Sequence, residues 1–206
     1  MEPKWLKWAK SLQAISQVGL TFTSNEFDIE RYKKIRKIAA EMMSANSDTD
    51  FEFIHNLFNY EDGYPTPKVD VRGVVFQDDK ILLVKEKVDG GWTLPGGWAE
   101  PNETPSQSVE REVLEESGYV VSAEKVSAIY DRTKQGHTPP HPYHVYKIFF
   151  LCKILGGESV PSLETDDVGF FDKDNLPNLS DARIKKHQIL RLFEHYKNPS
   201  LSVDFD

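Results

Sequence analysis

The sequence predicts an α/β fold, a mixed sheet lying between helices, with a small helical region in front of it. Residues 1 to about 60 read as helices only. From Val69 the pattern turns to short β-rich runs. One helical stretch near 105–117 interrupts those strands and another closes the chain, without the regular alternation of a doubly wound sheet.

In the first region Trp5, Trp8, Leu12 and Ile15 recur every three or four residues, which predicts a helix with these side chains as core or interface anchors. The polar stretch TFTSNEFD breaks the pattern, and Asp28 can cap a second helix carrying Ile29, Tyr32, Ile35, Ala39 and Met42. After SANSDTD a third, short helix fits DFEFIHNLFN. YEDGYPTPK, with a glycine and two prolines, reads as a linker. The expected division is a helical subdomain at 1–62 and a main domain at 68–206. So small a bundle needs the rest of the chain or a second copy to pack against.

In the main domain, VDVRGVVF and KILLVKEK are strands joined by the hairpin signal QDD. GWTLPGGW is a loop rich in Gly and Pro. VSAIYDR, YHVYKIFFLCKI and VGFFD are further strands, and NLPNLSDARIKKHQILRLFEHY is the terminal helix, with Ser180 as its N-cap.

With 39% apolar and 12% aromatic residues, the 206-residue chain can bury a real core. Its net charge of −8 argues against a broad nucleic-acid-binding surface and suits a site that takes cations. A single cysteine, Cys152, excludes an internal disulfide and a Cys-rich zinc site; in its apolar run it reads as a buried thiol. MEPKWLKWAK lacks the apolar core of a signal peptide and no run reaches transmembrane length, so a cytoplasmic protein off the membrane is expected.

The segment from Gly97 to Tyr119 holds six glutamates and one basic residue, Arg111. Thr104 as cap, Pro105 in the first turn and Gly118 as stop predict a helix over 105–117. On it Glu112, Glu115 and Glu116 share an arc of about 100°. Like charges so close repel, more so near a helix C-terminus. A solvated acidic face competes with a hard-cation site, since Mg²⁺ and Mn²⁺ prefer carboxylate and carbonyl oxygens. Glu103, eight residues before Arg111, can form an ion pair that pins the loop to the helix, and PGGW brings backbone groups alongside.

Gly97, Glu103 and Arg111-Glu112-Val113-Leu114-Glu115-Glu116-Ser117-Gly118 at this spacing resemble the box of the Nudix hydrolases, over about residues 69–197. The resemblance implies an αβα sandwich that hydrolyses a nucleoside diphosphate linked to another group. It implies that Glu112, Glu115, Glu116 and the Gly96 carbonyl hold Mg²⁺ or Mn²⁺, and that Glu103 and Arg111 form a structural ion pair. The general base stays open between Glu112 and an acid of SLETDD, with Glu164 preferred over Asp166 and Asp167.

The helical region and the wording of the strands resemble a bacterial subgroup acting on X-linked nucleoside diphosphates. That implies CDP-choline hydrolysis to CMP and phosphocholine in a homodimer, with trimming of short RNA 3′ ends as a second activity. ADP-ribose or a nucleotide-sugar is the alternative substrate, and a non-catalytic nucleotide sensor the alternative class. Trp92, Trp98, Tyr143 and Tyr146 suit a base or a quaternary ammonium equally. Arg72 and Arg132 can hold a phosphate or form ordinary ion pairs. His137, His141 and His144, on a Pro-rich loop, read as solvent-exposed loop residues or substrate-edge contacts ahead of a zinc site.

Overall fold

Small side chains decide how the N-terminal helices meet. The computed structural model describes residues 2–206, in two units: residues up to 67 with 140–144, and 68–139 with 145–206. The first unit holds α1 (Lys4–Phe22), α2 (Glu26–Ser44) and α3 (Phe51–Asn59). Ala9, Ala39 and Ala40 are fully buried between the helices with Leu6, Met43, Ile54 and Phe58. A methyl group on Gly19 would lie 2.4 Å from the Tyr32 ring, so α1 and α2 approach closely there. Asn25, not Asp28, caps α2: its side chain accepts from the Phe27 and Asp28 amides, and Asp28 sits inside the first turn, paired with Arg31.

The expected apolar stripe of α1 is split. The face turned inward carries Leu6, Ala9, Gln13 and Ser16, while Trp5 and Leu12 lie at its margin. Trp8, Ile15 and Phe22 point to solvent, 57%, 55% and 71% exposed. They are seven residues apart and so form one row. No helix among the described residues is long and apolar enough to cross a membrane.

The second unit is built on a mixed, seven-stranded sheet. Its elements are β1 (Lys68–Gln77), β2 (Lys80–Glu86), β3 (Trp92–Thr93), α4 (Pro105–Ser117), β4 (Tyr119–Asp131), β5 (Val145–Gly157), β6 (Thr165–Phe171), α5 (Lys186–Lys197) and β7 (Asp204–Phe205). The order is β3-β2-β1-β5-β4-β7, with β6 also on β2. β1 runs parallel to β5, and the β1–β2 hairpin turns on Asp78 and Asp79 at φ 50° and 58°, the left-handed geometry such turns need.

Alternation along the strands gives the sheet two apolar faces. Val71, Val75, Leu82, Phe150 and Cys152 pack against Val109 and Val113 of α4. Val74, Ile81, Leu83 and Phe149 pack against Ile189, Leu192 and Phe193 of α5. Burial pushes the Cys152 thiol up to about 12, so it stays protonated.

Two expectations for the C-terminal part change. Ser180 does not cap the last helix, which begins at Lys186; its hydroxyl donates to Asp89 Oδ2 at 2.7 Å. The chain also continues beyond that helix. β7 pairs with β4, and Asp204 accepts from Arg191 Nε and Nη2 at 2.6 and 2.8 Å. Two residues without apolar alternation gave no strand signal.

A charged cluster lies inside the sheet, where Asp70 on β1 faces Lys147 on β5. Asp70 Oδ1 accepts from Lys147 Nζ at 2.7 Å and from Arg72 Nε at 2.8 Å, and Oδ2 accepts from Arg72 Nη2 at 2.7 Å. All three side chains are buried. Burial opposes the charge on Asp70, yet the two cations outweigh it and hold the carboxyl below its usual range. Asp70→Ala would leave two buried cations without their shared anion. We expect a loss of about 3–5 kcal/mol in urea unfolding; an unchanged midpoint would show the cluster to be energetically idle.

Candidate active site

The acidic helix α4 is fixed at both ends and along one face. Thr104 Oγ1 accepts from the Gln107 amide while Gln107 Oε1 accepts from the Thr104 amide, a capping box with Pro105 following. Gly118 ends the helix in the left-handed region. The inward face carries Val109 and Val113, and a methyl group on Gly73 would lie 2.2 Å from Val113, so the helix rests directly on β1. With those residues on the sheet, the glutamates are turned along its flank.

The loop 94–98 is laced to β1. Gly73 donates to the Pro95 carbonyl and Val71 to the Gly97 carbonyl, both at 2.8 Å. Gly96 between them has φ 142°, and a Cβ there would lie 2.0 Å from the Val71 oxygen, so no other residue fits. Among the described residues, the Gly96 carbonyl accepts no backbone hydrogen bond. Its amide donates to Glu116 Oε2 at 2.8 Å, tying loop to helix.

Arg111 gathers the carboxylates. Its Nε and Nη2 donate to Glu103 at 2.9 and 3.1 Å, and its Nη1 donates to Glu112 Oε1 at 2.9 Å and Glu115 Oε2 at 3.0 Å. Hydrogen bonds from Arg111 and from Ser108 hold the Glu103 carboxyl below its ordinary value. Glu116 is different. Burial pushes it up to about 7, against the pull of Arg72 and the Gly96 amide, and Glu86 and Glu112 push the same way. Burial also raises Glu112.

Among the described residues no three His, Cys, Asp or Glu side chains are gathered at metal-binding distance, because Glu112 and Glu115 are turned to Arg111. The donor chemistry nevertheless fits a hard divalent cation. Among the described residues, Glu116 is a desolvated carboxylate in no ion pair, the Gly96 carbonyl beside it takes no backbone hydrogen bond, and a Cβ on Gly97 would sit 2.8 Å from Glu112 Oε2. Glu112 and Glu115 share one guanidinium nitrogen of Arg111.

These groups line a cleft of about 670 Å³. Arg72, Gly96, Trp98, Glu112, Glu115, Glu116 and Glu164 are all in its wall. Trp98 is half exposed there, and Glu164 stands on the rim. Arg72 is buried in mid-strand, with Nη1 donating to the Leu94 carbonyl at 3.1 Å. Arg132 is outside the cleft wall; it is buried and donates to the carbonyls of Pro139 and Ala182. Trp92 packs edge-on against Phe171 in the core. Asp166 and Asp167 lie on β6 outside the wall. Tyr143, His141 and His144 belong to the first unit. His137 is buried, contrary to the exposed-loop expectation, and burial with the nearby charges of Lys147 and Arg132 pushes it down to about 3.

Asp70 and Arg183 also line the cleft and were not foreseen. Charges two apart within an apolar strand, as in VDVRG, are a readable sign of a buried pair. Arg183, inside a presumptive helix, left no sign.

Residues 66–193 match the NUDIX domain, and residues 3–58 match a UDP-X-like, N-terminal oligomerisation domain. The "Putative ADP-ribose pyrophosphatase YjhB" of Bacillus subtilis (strain 168) is 43% identical over 206 residues, covering 100% of this chain and 99% of its own. The crystal structure of an ADP-ribose pyrophosphatase from Streptococcus suis 89-1591 is 41% identical with a TM-score of 0.63, covering 68% of this chain and 100% of its own. That of a UDP-X diphosphatase is 34% identical with a TM-score of 0.64, covering 98% of both chains. With a domain match over most of its length and a relative aligned end to end, the chain belongs to the Nudix family and is a Nudix pyrophosphohydrolase.

Proposed function

We propose that this chain hydrolyses the diphosphate linkage of ADP-ribose, giving AMP and ribose 5-phosphate. The observation that carries the reading is the end-to-end likeness to the Bacillus subtilis protein of that description. The Streptococcus suis structure supports it. None of these relatives is named for CDP-choline, so the substrate expected from the strand wording gives way to the alternative. The acid excess around the cleft speaks against a long nucleic-acid track.

In this reading Glu112, Glu115, Glu116 and the Gly96 carbonyl hold Mg²⁺ or Mn²⁺. A bound divalent cation neutralises the diphosphate and makes water more acidic. Water attacks one phosphorus, the bridging P–O bond breaks, and a carboxylate takes the water's proton. What supports Glu164 as that base is its position on the rim and, among the described residues, the absence of a hydrogen bond to its carboxylate, whereas Glu112 is engaged by Arg111. Trp98 offers an aromatic face to the adenine, and the buried Arg72, its nitrogens taken within the protein, contributes only a positive potential in the cleft wall. The exposed row of Trp8, Ile15 and Phe22 is the surface by which two copies would pair, in keeping with the oligomerisation-domain match.

Given ADP-ribose, CDP-choline and nucleotide-sugars with Mg²⁺ or Mn²⁺, the protein should turn over ADP-ribose fastest, and Glu164→Gln should lower kcat by about 10²–10⁴-fold with KM little changed; preference for CDP-choline would restore that substrate. Glu116 must be ionised to hold a cation. Mn²⁺ affinity measured by calorimetry should therefore fall about tenfold per pH unit below 7 and level off above it, a slope missing in Glu116→Gln. Without metal, the raised carboxyl makes the fold lose stability as pH rises through 7, since the folded state binds the extra proton between the ordinary carboxylate range and 7. Light scattering should report an oligomer that Trp8→Glu with Ile15→Glu converts to a monomer; a wild-type monomer would refute the pairing.

A further inference from the structure

The cleft has more acids than bases in its wall, yet a diphosphate that enters it is an anion. Three arginines line it: Arg72, Arg111 and Arg183. Two are committed. Each nitrogen of Arg111 already donates to a carboxylate, and each nitrogen of Arg72 donates to Asp70 or to the Leu94 carbonyl. Arg183 differs. Its Nε lies 3.0 Å from Glu86 Oε1, an ion pair off hydrogen-bond alignment, and among the described residues its two terminal nitrogens make no hydrogen bond.

The guanidinium is nevertheless held in place. Glu86 behind it is 4% exposed in its side chain, at the end of β2. The backbone that carries Arg183 is pinned on all sides. The Arg183 and Ile184 amides donate to the Ser180 carbonyl, the Ser180 amide to Trp92, and Ile184 is fully buried. Ser180 is also fastened to Asp89 and packed so tightly on Gly91 that a Cβ there would lie 2.7 Å from its backbone. The Arg183 side chain is about one-third exposed and lines the cleft. A cation anchored from behind, with its fork open toward an acidic cleft, is what a phosphate group meets as a bidentate partner.

We infer that Arg183 is a substrate-binding residue that takes the non-bridging oxygens of the diphosphate, with Glu86 as its positioning residue. This rests on the pyrophosphohydrolase reading for its setting, and not on ADP-ribose as the substrate.

The test is calorimetric binding of methylenediphosphonate, a non-hydrolysable diphosphate, to the full chain with Mg²⁺, alongside kcat and KM for ADP-ribose. Arg183→Ala should weaken diphosphonate binding about 10- to 100-fold and raise KM in proportion, while kcat falls less. Arg183→Lys should restore part of the affinity, and Glu86→Gln should weaken binding less than Arg183→Ala. Melting temperature checks that the variants fold; should Arg183→Ala fail to fold, Arg183→Gln carries the comparison. Equal diphosphonate affinity in wild type and variant, or no binding by wild type, overturns the inference. If ADP-ribose is not turned over but diphosphonate binding still depends on Arg183, the substrate reading falls and Arg183 keeps its role.

Discussion

The carboxylate of Asp70, shared by Arg72 and Lys147, is the interaction on which the cleft depends. It lies where β1 and β5 run parallel, so it joins two central strands by charge as well as by backbone bonds. Arg72 carries the constraint onward to the Leu94 carbonyl, at the start of the loop that bears Gly96. That loop in turn reaches α4 through the Gly96 amide and Glu116. Sheet, loop and helix are thus linked through polar groups that are mostly out of water, where each must be paired or lose stability. The arrangement is costly to assemble and stiff once assembled, which suits a site that must hold oxygens in fixed positions.

The same economy of charge explains the acidic helix. Arg111 offsets four carboxylate oxygens, from Glu103, Glu112 and Glu115, and so lets α4 exist before any cation arrives. Glu116 takes no bond from Arg111, and burial raises it to about 7 against the weaker pull of Arg72 and the Gly96 amide. One carboxylate is left under-compensated while its neighbours are held, which gives the cleft a directed demand for positive charge and not a diffuse one.

How far the chain could be read beforehand depends on how local each feature is. Thr104, Pro105 and Gly118 are punctuation that acts within one turn, and α4 has the bounds they imply. The spacing of Glu103, Arg111 and the glutamates is likewise local, and the family match follows it. Features that need a distant partner were harder. The buried placement of Arg132 and His137 depends on carbonyls and charges brought in by other segments. Arg183 becomes a cleft residue only because the 180–184 turn packs on Gly91. In α1 the apolar period was legible, but which of its two apolar faces turns inward was decided by alanines on α2.

The short strand β7 also bears on how open the side of the sheet is. β4 is thirteen residues long and stands at the side of the sheet, with β7 covering only Ala128 and Ile129. Open strand edges recruit other strands. Here register shifts break the β4–β5 pairing at three places, and Lys125 Nζ donates to the carbonyls of Pro199 and Leu201, folding the tail back along the strand. Such an edge is a poor template for sheet extension by another strand.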